Sequence, residues 1–421
     1  MLPDSDPTNE GTGLGPRFRT LWAASAASNL GDGVWLVAAP LLAATLTRDP
    51  ALVAGLAFAQ RLPWLLFGLV GGALADRLDR RRAMVAVAVA RAALVGLLAA
   101  ALLLGRASMP LLYVVFFLIA TGETLFDTSA AALLPAVVPS GLLPKANARL
   151  GGTWTVANQF VGPPLGGVLF SLAAVLPFLF GAGGLAVAAA LLTTLRGSFA
   201  PERAEGEDRR PLRAEIAEGV RWLWRHRLLR SLSLAMALLN LTLVAQVAIM
   251  VLFAEERLGL GPDGYGLLLT AYGVGGVAGG LVAERVLARV GDARYLRLAI
   301  VVETAAPAAI ALTRSPLVVG AVFIAFGLHA IVWGAVLTAL QQELTPDRLR
   351  GRVGSVHMLL EYGSAAPGAL LGGLLATRFG LTAPFWLGAI VGAALIPFAW
   401  SAFSDANVRA ARAAERSGRH G

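Results

Sequence analysis

The sequence predicts an all-α membrane protein with about twelve transmembrane helices, arranged as two six-helix halves related by pseudo-symmetry. The first observation is composition: 57% of the 421 residues are hydrophobic and 14% are charged, with a mean hydropathy of +0.70. Soluble domains carry about 25% charged residues. The second observation is that long apolar runs recur along the whole chain, and the third is that short motifs repeat between its two parts. Lipid is the solvent that suits such a chain.

The apolar runs define the predicted spans. A helix needs roughly 20 predominantly apolar residues to cross the hydrocarbon core of a bilayer. The runs that meet this length are 21–46, 51–75, 83–105, 109–134, 146–172, 174–195, 229–253, 264–287, 295–312, 316–340, 353–376 and 384–403. The segment before them is polar and lacks the order of a signal peptide, so we expect the first run to remain in the membrane.

Basic residues test this topology, because cytoplasmic loops of membrane proteins are enriched in Lys and Arg. With the N-terminus in the cytoplasm, 28 of the 35 Lys and Arg residues lie in cytoplasmic tails and loops, and 5 lie on the opposite side. The remaining two, Arg61 and Arg91, fall within spans. We therefore expect a multi-pass protein of the bacterial inner membrane with both termini in the cytoplasm.

Repeated motifs divide the chain. GPPLGG at 162–167 corresponds to GALLGG at 368–373, and GGALADR at 71–77 corresponds to GGLVAER at 279–285. The expected order is a cytoplasmic tail (1–20), a six-helix half (21–196), a cytoplasmic linker (197–228), a second six-helix half (229–403) and a cytoplasmic tail (404–421). The end of the linker is either an interfacial helix on the membrane surface or an extension of span seven.

Several functional classes lack support in the sequence. The chain has no Cys and four His, and no HExxH pattern is present. Lys145 is the one lysine and follows Pro144, so there is no Walker A loop. We expect no enzymatic activity, no catalytic residues, no cofactor and no bound metal. The net charge of +9 suits contact with anionic membrane lipids rather than nucleic acid.

Ionisable residues within the spans are candidates for proton coupling, because a charge in hydrocarbon is costly and usually faces a cavity or a partner. The acidic candidates are Asp32, Glu123, Asp127, Glu303 and Glu361, and the intramembrane basic residues are Arg61 and Arg91. Glu123 and Asp127 are four residues apart and share a helix face. We expect Asp32 or Glu123 to couple protons and Asp127 to pair with Arg91; a static ion pair is the alternative for each.

A substrate cavity in such a protein is expected to be largely apolar and aromatic, with a few polar groups. The candidates on spans one, two, four, five, seven, eight and ten are Trp35, Trp64, Phe126, Asn158, Gln159, Asn240, Gln246, Tyr272, His329 and Trp333. Packing within the bundle or contact with lipid is the alternative for each of them.

Residues 72–82 read GALADRLDRRR. This segment resembles the motif between spans two and three of the major facilitator superfamily, with Asp79 in place of the second glycine of that motif. The resemblance implies a conformational latch formed by Gly72, Asp76, Arg77, Arg80, Arg81 and Arg82. A purely topogenic arginine cluster is the alternative.

GPPLGG matches the end of the span-five motif of the family's antiporters, although Arg149 and Asn158 stand where upstream glycines are expected. Its prolines remove backbone donors and its glycines allow close helix packing. We expect a bent, tightly packed span five at Gly162, Pro163, Pro164, Gly166 and Gly167, or else ordinary helix packing.

Further stretches, such as 28–50, 133–150, 218–230 and 345–356, resemble the branch that contains macrolide-efflux and enterobactin-export proteins. The resemblance implies secondary active export of small amphiphilic molecules of the drug, antibiotic or siderophore type, by proton antiport and alternating access. The expected partners are the small-molecule substrate, protons and membrane lipids, and we expect a monomer. A lipid flippase or an uptake permease of the same fold is the alternative.

Overall fold

A computed structural model describes residues 13–75, 78–195, 197, 199 and 212–420, apart from the side chains of 68–75, 212–215, 347 and 414–420. The described chain is helical throughout, without β-strands. Ten of its helices are long and apolar enough to cross a membrane. The remaining two predicted spans correspond to helical segments at 143–172 and Arg350–Phe379. The predicted fold class is confirmed.

The N-terminal half contains the first six spans. The first four are α1 (Gly15–Leu46), α2 (Pro50–Ala75), α3 (Arg80–Leu103) and α4 (Met109–Val137). The fifth is interrupted: α5 (Leu143–Trp154) continues through a π-helical segment (Thr155–Val161) into α6 (Gly162–Leu172). The sixth is α7 (Leu176–Thr193).

A separate helix, α8 (Leu212–Arg225), precedes the second half. His226 has an extended backbone and its Nδ1 accepts a hydrogen bond from the backbone N–H of Leu229 at 3.2 Å, which caps the next helix. One helix therefore ends at Arg225 and a new helix begins at Arg227, instead of a single long helix continuing through this point. Gly219 lets α8 approach the backbone of Arg352 closely.

The C-terminal half begins with α9 (Arg227–Val247), which continues through α10 (Met250–Leu252) and a π-helical segment (Phe253–Arg257). The next five spans are α11 (Pro262–Val290), α12 (Asp292–Leu312), α13 (Pro316–Leu344), α14 (Arg350–Phe379) and α15 (Ala383–Ala402). A last helix, α16 (Asp405–His420), packs against α12, α13 and α9.

The bundle has two unlike faces. The basic face is the end of the bundle at which α1, α3, α9 and α14 begin, and most arginines lie there. We call the other end of the bundle the opposite face. On the basic face Arg412 bonds Asp292 at 2.6 Å and Glu343 at 2.8 Å, which ties α16 to α12 and α13.

The two halves pack mainly through two helix pairs, α2 with α14 and α6 with α11. Small residues permit the approach, because without a hydrophobic driving force membrane helices associate by close van der Waals packing. A Cβ on Gly373 would lie 2.8 Å from Ala51 Cα, and one on Gly167 would lie 2.7 Å from the carbonyl oxygen of Pro262. Both contacts are near the opposite face, where Arg48 also pairs with Glu255.

The basic face shows different neighbours. There α5 packs on α1 and α4 of its own half, and α14 packs on α8. Both α5–α6 and α14 thus contact the other half beyond mid-membrane, whereas at the basic face α5 contacts its own half and α14 contacts α8. The packing holds the halves together at the opposite face.

Candidate functional site

A cavity of about 640 Å³ lies between the two halves near mid-membrane. We call it the central cavity. Its lining residues come from α1, α2, α4, α5, the span-five π segment, α6, α11 and α14. Those that the sequence singled out are Asp32, Trp35, Arg61, Trp64, Glu123, Asp127, Asn158, Gln159, Pro163, Tyr272 and Glu361. The central cavity therefore carries more charge than a mainly apolar drug pocket would.

A buried ion pair connects α3 to Asp32, which lies on the part of the cavity wall formed by α1. Nη2 of Arg91 is 2.6 Å from Oδ1 of Asp32, and the two side chains are 1% and 13% exposed. Gly122 leaves room for the stem of Arg91, since a Cβ there would lie 3.1 Å from its Cγ. Nε and Nη1 of Arg91 have no hydrogen-bond partner among the described residues, so the guanidinium retains donors for another acceptor.

Glu123 and Asp127 project from one face of α4 into the central cavity. Both lie within electrostatic range of Asp32 and Arg91. The predicted pair of Asp127 with Arg91 is wrong in this structure, because Arg91 bonds Asp32. Helix depth alone suggested that Arg91 and Asp127 lie at one level, whereas the rotation of α3 aims the guanidinium at α1.

The C-terminal half contributes a carboxylate and an aromatic contact. Arg61 on α2 lies within electrostatic range of Glu361 on α14 and of Glu123. Trp64 stacks on Tyr362, with ring centroids 5.1 Å apart and an interplanar angle of 14°. The charged groups of the central cavity thus come from both halves.

Span five is shaped by its glycines and prolines. A Cβ on Gly162 would lie 2.6 Å from Gly33 Cα, and one on Gly166 would lie 2.4 Å from the carbonyl oxygen of Val34, so α6 packs directly on α1. Pro163 and Pro164 cannot donate backbone hydrogen bonds, and the π-helical segment precedes them. This segment turns Asn158 and Gln159 toward the cavity.

The other predicted cavity residues lie elsewhere. Gln246 and Glu303 line a second, smaller cavity within the C-terminal half. His329 is 4% exposed and approaches Tyr295 Oη at 3.2 Å and Glu303 Oε1 at 3.3 Å. Asn240 does not line the central cavity; it donates to the carbonyl oxygen of Glu361 at 2.8 Å and joins α9 to α14.

The predictions that Phe126 and Trp333 line the substrate cavity are wrong. Phe126 is 3% exposed and packs with Met84 and Leu133 in the core of its own half. Trp333 packs beside His329, with ring centroids 6.1 Å apart, and lines neither cavity. The sequence could not show this, because helix rotation cannot be read from an almost uniformly apolar span.

The loop between α2 and α3 is partly described. Asp76 and Arg77 lie outside the described residues, and Gly72 lies in α2. Asp79 caps α3 by accepting from the N–H of Arg82 at 2.9 Å, and it also accepts from the N–H of Phe199 at 3.2 Å. Arg81 donates to the carbonyl oxygen of Leu195. These bonds connect the loop to its own half and to Phe199 in the following linker, and α3 begins at Arg80.

Sequence reasoning missed several lining residues, notably Gln60, Phe116, Trp154 and Tyr362. Gln60 is a polar residue in an apolar run, directly before Arg61, so its chemistry was visible. Tyr362 follows Glu361 in the same way. Trp154 lies where the π-helical segment begins, and nothing in its neighbourhood distinguishes it from an interfacial tryptophan.

Two six-helix halves around a mid-membrane cavity define a polytopic transporter of the major facilitator fold. A mutant of the nucleoside transporter NupG has this fold: its structure matches with a TM-score of 0.77 and 12% identity, over 92% of this chain and 100% of that one. Residues 15–417 match the family described as transmembrane secretion effector. The chain belongs to this family of major facilitator transporters.

Two multidrug efflux pumps are similar to this chain over most of their length. The multidrug efflux pump Tap of Mycolicibacterium fortuitum is 27% identical over 401 residues, which are 89% of this chain and 92% of that one. The pump of the same name from Mycobacterium tuberculosis (strain ATCC 25618 / H37Rv) is 30% identical over 402 residues, covering 88% and 89%. The chain is therefore a membrane transporter rather than an enzyme.

Proposed function

We propose that this transporter exports small amphiphilic molecules, organic cations foremost, from the bacterial cytoplasm in exchange for protons. The observation that carries the proposal is the charge of the central cavity. Among the described residues that line it, four are carboxylates, on Asp32, Glu123, Asp127 and Glu361, and one is a cation, Arg61. Such a surplus of carboxylates attracts a positively charged molecule, and its aromatic side chains offer that molecule a surface.

The same carboxylates give a simple basis for exchange. A proton and an organic cation neutralise an acidic side chain equally well, so binding of one favours release of the other. Asp32 is held by Arg91, while Glu123 and Asp127 face the cavity within electrostatic range of that pair. Protonation of Asp32 would free Arg91 to bind a carboxylate on α4, which couples the proton to the position of the helices.

Orientation and localisation follow from the arginine distribution. We infer that the basic face is cytoplasmic in the inner membrane, with both termini there. Because the halves pack together near the opposite face, we propose that the central cavity is open toward the cytoplasm in this state. We also propose that the two six-helix halves at 21–196 and 229–403 move relative to each other, and that one chain suffices for transport.

The test is flux in proteoliposomes that contain purified protein. Ethidium uptake is followed after an acidic interior is imposed, with nigericin added in a parallel sample to collapse the gradient. We expect uptake that depends on the gradient in the wild type and is lost in Asp32→Asn and Glu123→Gln. Uptake that ignores the gradient, or that survives both substitutions together, would contradict proton exchange. The exposed acid variant Asp263→Asn on α11 serves as the control.

A further inference from the structure

A second cavity, of about 240 Å³, lies wholly within the C-terminal half. We call it the lateral cavity. Its walls come from α9, α10, α11, α12, α13 and α15, and the exchange mechanism above does not use it. Two of its lining residues, Leu269 and Tyr272, also line the central cavity, so the two spaces adjoin at α11.

The lateral cavity has an aromatic wall. The ring centroids of Tyr272 and Phe326 are 6.4 Å apart, and Phe385, which also lines the cavity, packs against Phe253 with ring centroids 4.7 Å apart. Apart from Gln246 and Tyr272, the uncharged lining residues are apolar. A wall of this kind suits a planar aromatic or aliphatic group.

A single carboxylate, on Glu303, carries the charge among the described residues that line this cavity. Its Oε1 is 3.3 Å from Nε2 of His329, whose Nδ1 is 3.2 Å from Oη of Tyr295. These contacts hold the carboxylate of Glu303 in place, while its side chain remains 15% exposed. Even with these contacts, a carboxylate that borders a largely apolar space favours a cation in that space.

We infer that the lateral cavity is a second substrate subsite, which takes the apolar part of an organic cation while Glu303 pairs with its positive nitrogen. Its volume is below the roughly 300–1,000 Å³ of pockets that hold whole drug-sized molecules. Part of the molecule therefore occupies it, and the remainder extends past Tyr272 into the central cavity. The inference rests on the proposed function for the identity of the cargo.

The test is equilibrium binding of ethidium to purified protein in detergent, followed by fluorescence anisotropy. Ala306→Phe fills the lateral cavity from α12, and Ala305→Phe, one residue away and exposed, is its matched control. We expect Ala306→Phe to weaken ethidium binding about tenfold, because it removes the space for the apolar part. Ala305→Phe should bind as the wild type does, and thermal melting checks that both variants fold.

The charge is tested with a second substitution and a second probe. Glu303→Gln should weaken ethidium binding about tenfold, because it removes a charge-assisted contact. It should leave binding of the neutral aromatic probe N-phenyl-1-naphthylamine unaffected. Wild-type ethidium binding in a folded Ala306→Phe protein, an equal loss of both probes in Glu303→Gln, or no ethidium binding by the wild type would overturn the subsite.

Binding and flux separate this inference from the proposed function. If the wild type binds ethidium and both substitutions weaken binding, but flux ignores the pH gradient, the subsite stands and proton exchange fails. If flux follows the gradient but the folded variants bind ethidium normally, exchange stands and the subsite fails.

Discussion

At the scale of single residues, burial makes the Asp32–Arg91 ion pair sensitive to the loss of either partner. Arg91 is 1% exposed, and its ion pair within the described part of the chain is with Asp32. Removing one partner of a buried pair leaves an uncompensated charge and costs about 3 kcal/mol or more, whereas replacing both by apolar residues is often neutral. The pair is therefore expected to be sensitive to single substitutions and tolerant of a double one.

We accordingly expect Asp32→Asn to lower stability by about 3 kcal/mol, because Arg91 loses the carboxylate that hydrogen-bonds it and keeps only longer-range interactions with Glu123 and Asp127. The double variant Asp32→Asn with Arg91→Met should recover most of that loss but not proton-driven flux. Thermal melting in detergent measures the first quantity and the proteoliposome assay the second. Arg106→Met, which removes an exposed arginine, is the control. A double variant no more stable than Asp32→Asn would show that the pair is not the source of the loss.

These residues also show which features of single side chains can be predicted from the sequence. The cost of a charge in hydrocarbon is enough to mark Asp32, Glu123 and Arg91 as candidates from the sequence alone. The partner of Arg91 could not be chosen in that way, since Asp32 and Asp127 are both acids on neighbouring helices. That choice depends on the rotation of α3, which an apolar span does not record. For the same reason Phe126 could not be separated from the aromatic residues that do face the central cavity.

At the scale of helices, span ends were predictable because hydropathy changes sharply where the chain leaves lipid. The predicted run 109–134 corresponds to Met109–Val137, and 316–340 corresponds to Pro316–Leu344. The interruptions were harder to foresee. Pro163 and Pro164 signalled a bend, but the π-helical segment at Thr155–Val161 precedes them and contains no proline. Its position reflects the packing of α6 on α1 and α11, a tertiary effect.

Helix α11 offers a paired test of that packing. A Cβ on Gly273 would lie 2.6 Å from the carbonyl oxygen of Gln159, whereas one on Gly280 would meet no atom within 4 Å. We expect Gly273→Ala to destabilise the protein by about 1–3 kcal/mol, since backbone cannot yield as a side chain can. Gly280→Ala should be neutral or slightly stabilising, because alanine favours a helix. Equal melting temperatures for the two variants would rule out a tight contact between span five and α11.

At the scale of the whole molecule, the proposed movement of the two halves would be opposed by contacts at the opposite face. Arg48 pairs with Glu255 across the halves, and Thr377 donates to Asp49 at 3.2 Å. The arginine is 61% exposed, so its pair contributes less than about 1 kcal/mol. A contribution of that size cannot lock the transporter, but it shifts populations by up to about fivefold.

Because the chain has no Cys, a single introduced thiol can report this shift. Leu36 lines the central cavity and is 45% exposed. In a Leu36→Cys background, we expect Arg48→Ala to raise labelling by a membrane-impermeant maleimide from the opposite face by about two- to fivefold, since one contact that holds the halves together is lost. Arg106→Ala on the same face is the control. Labelling that stays unchanged, or that rises equally in both variants, would mean that the Arg48–Glu255 pair does not hold this face closed.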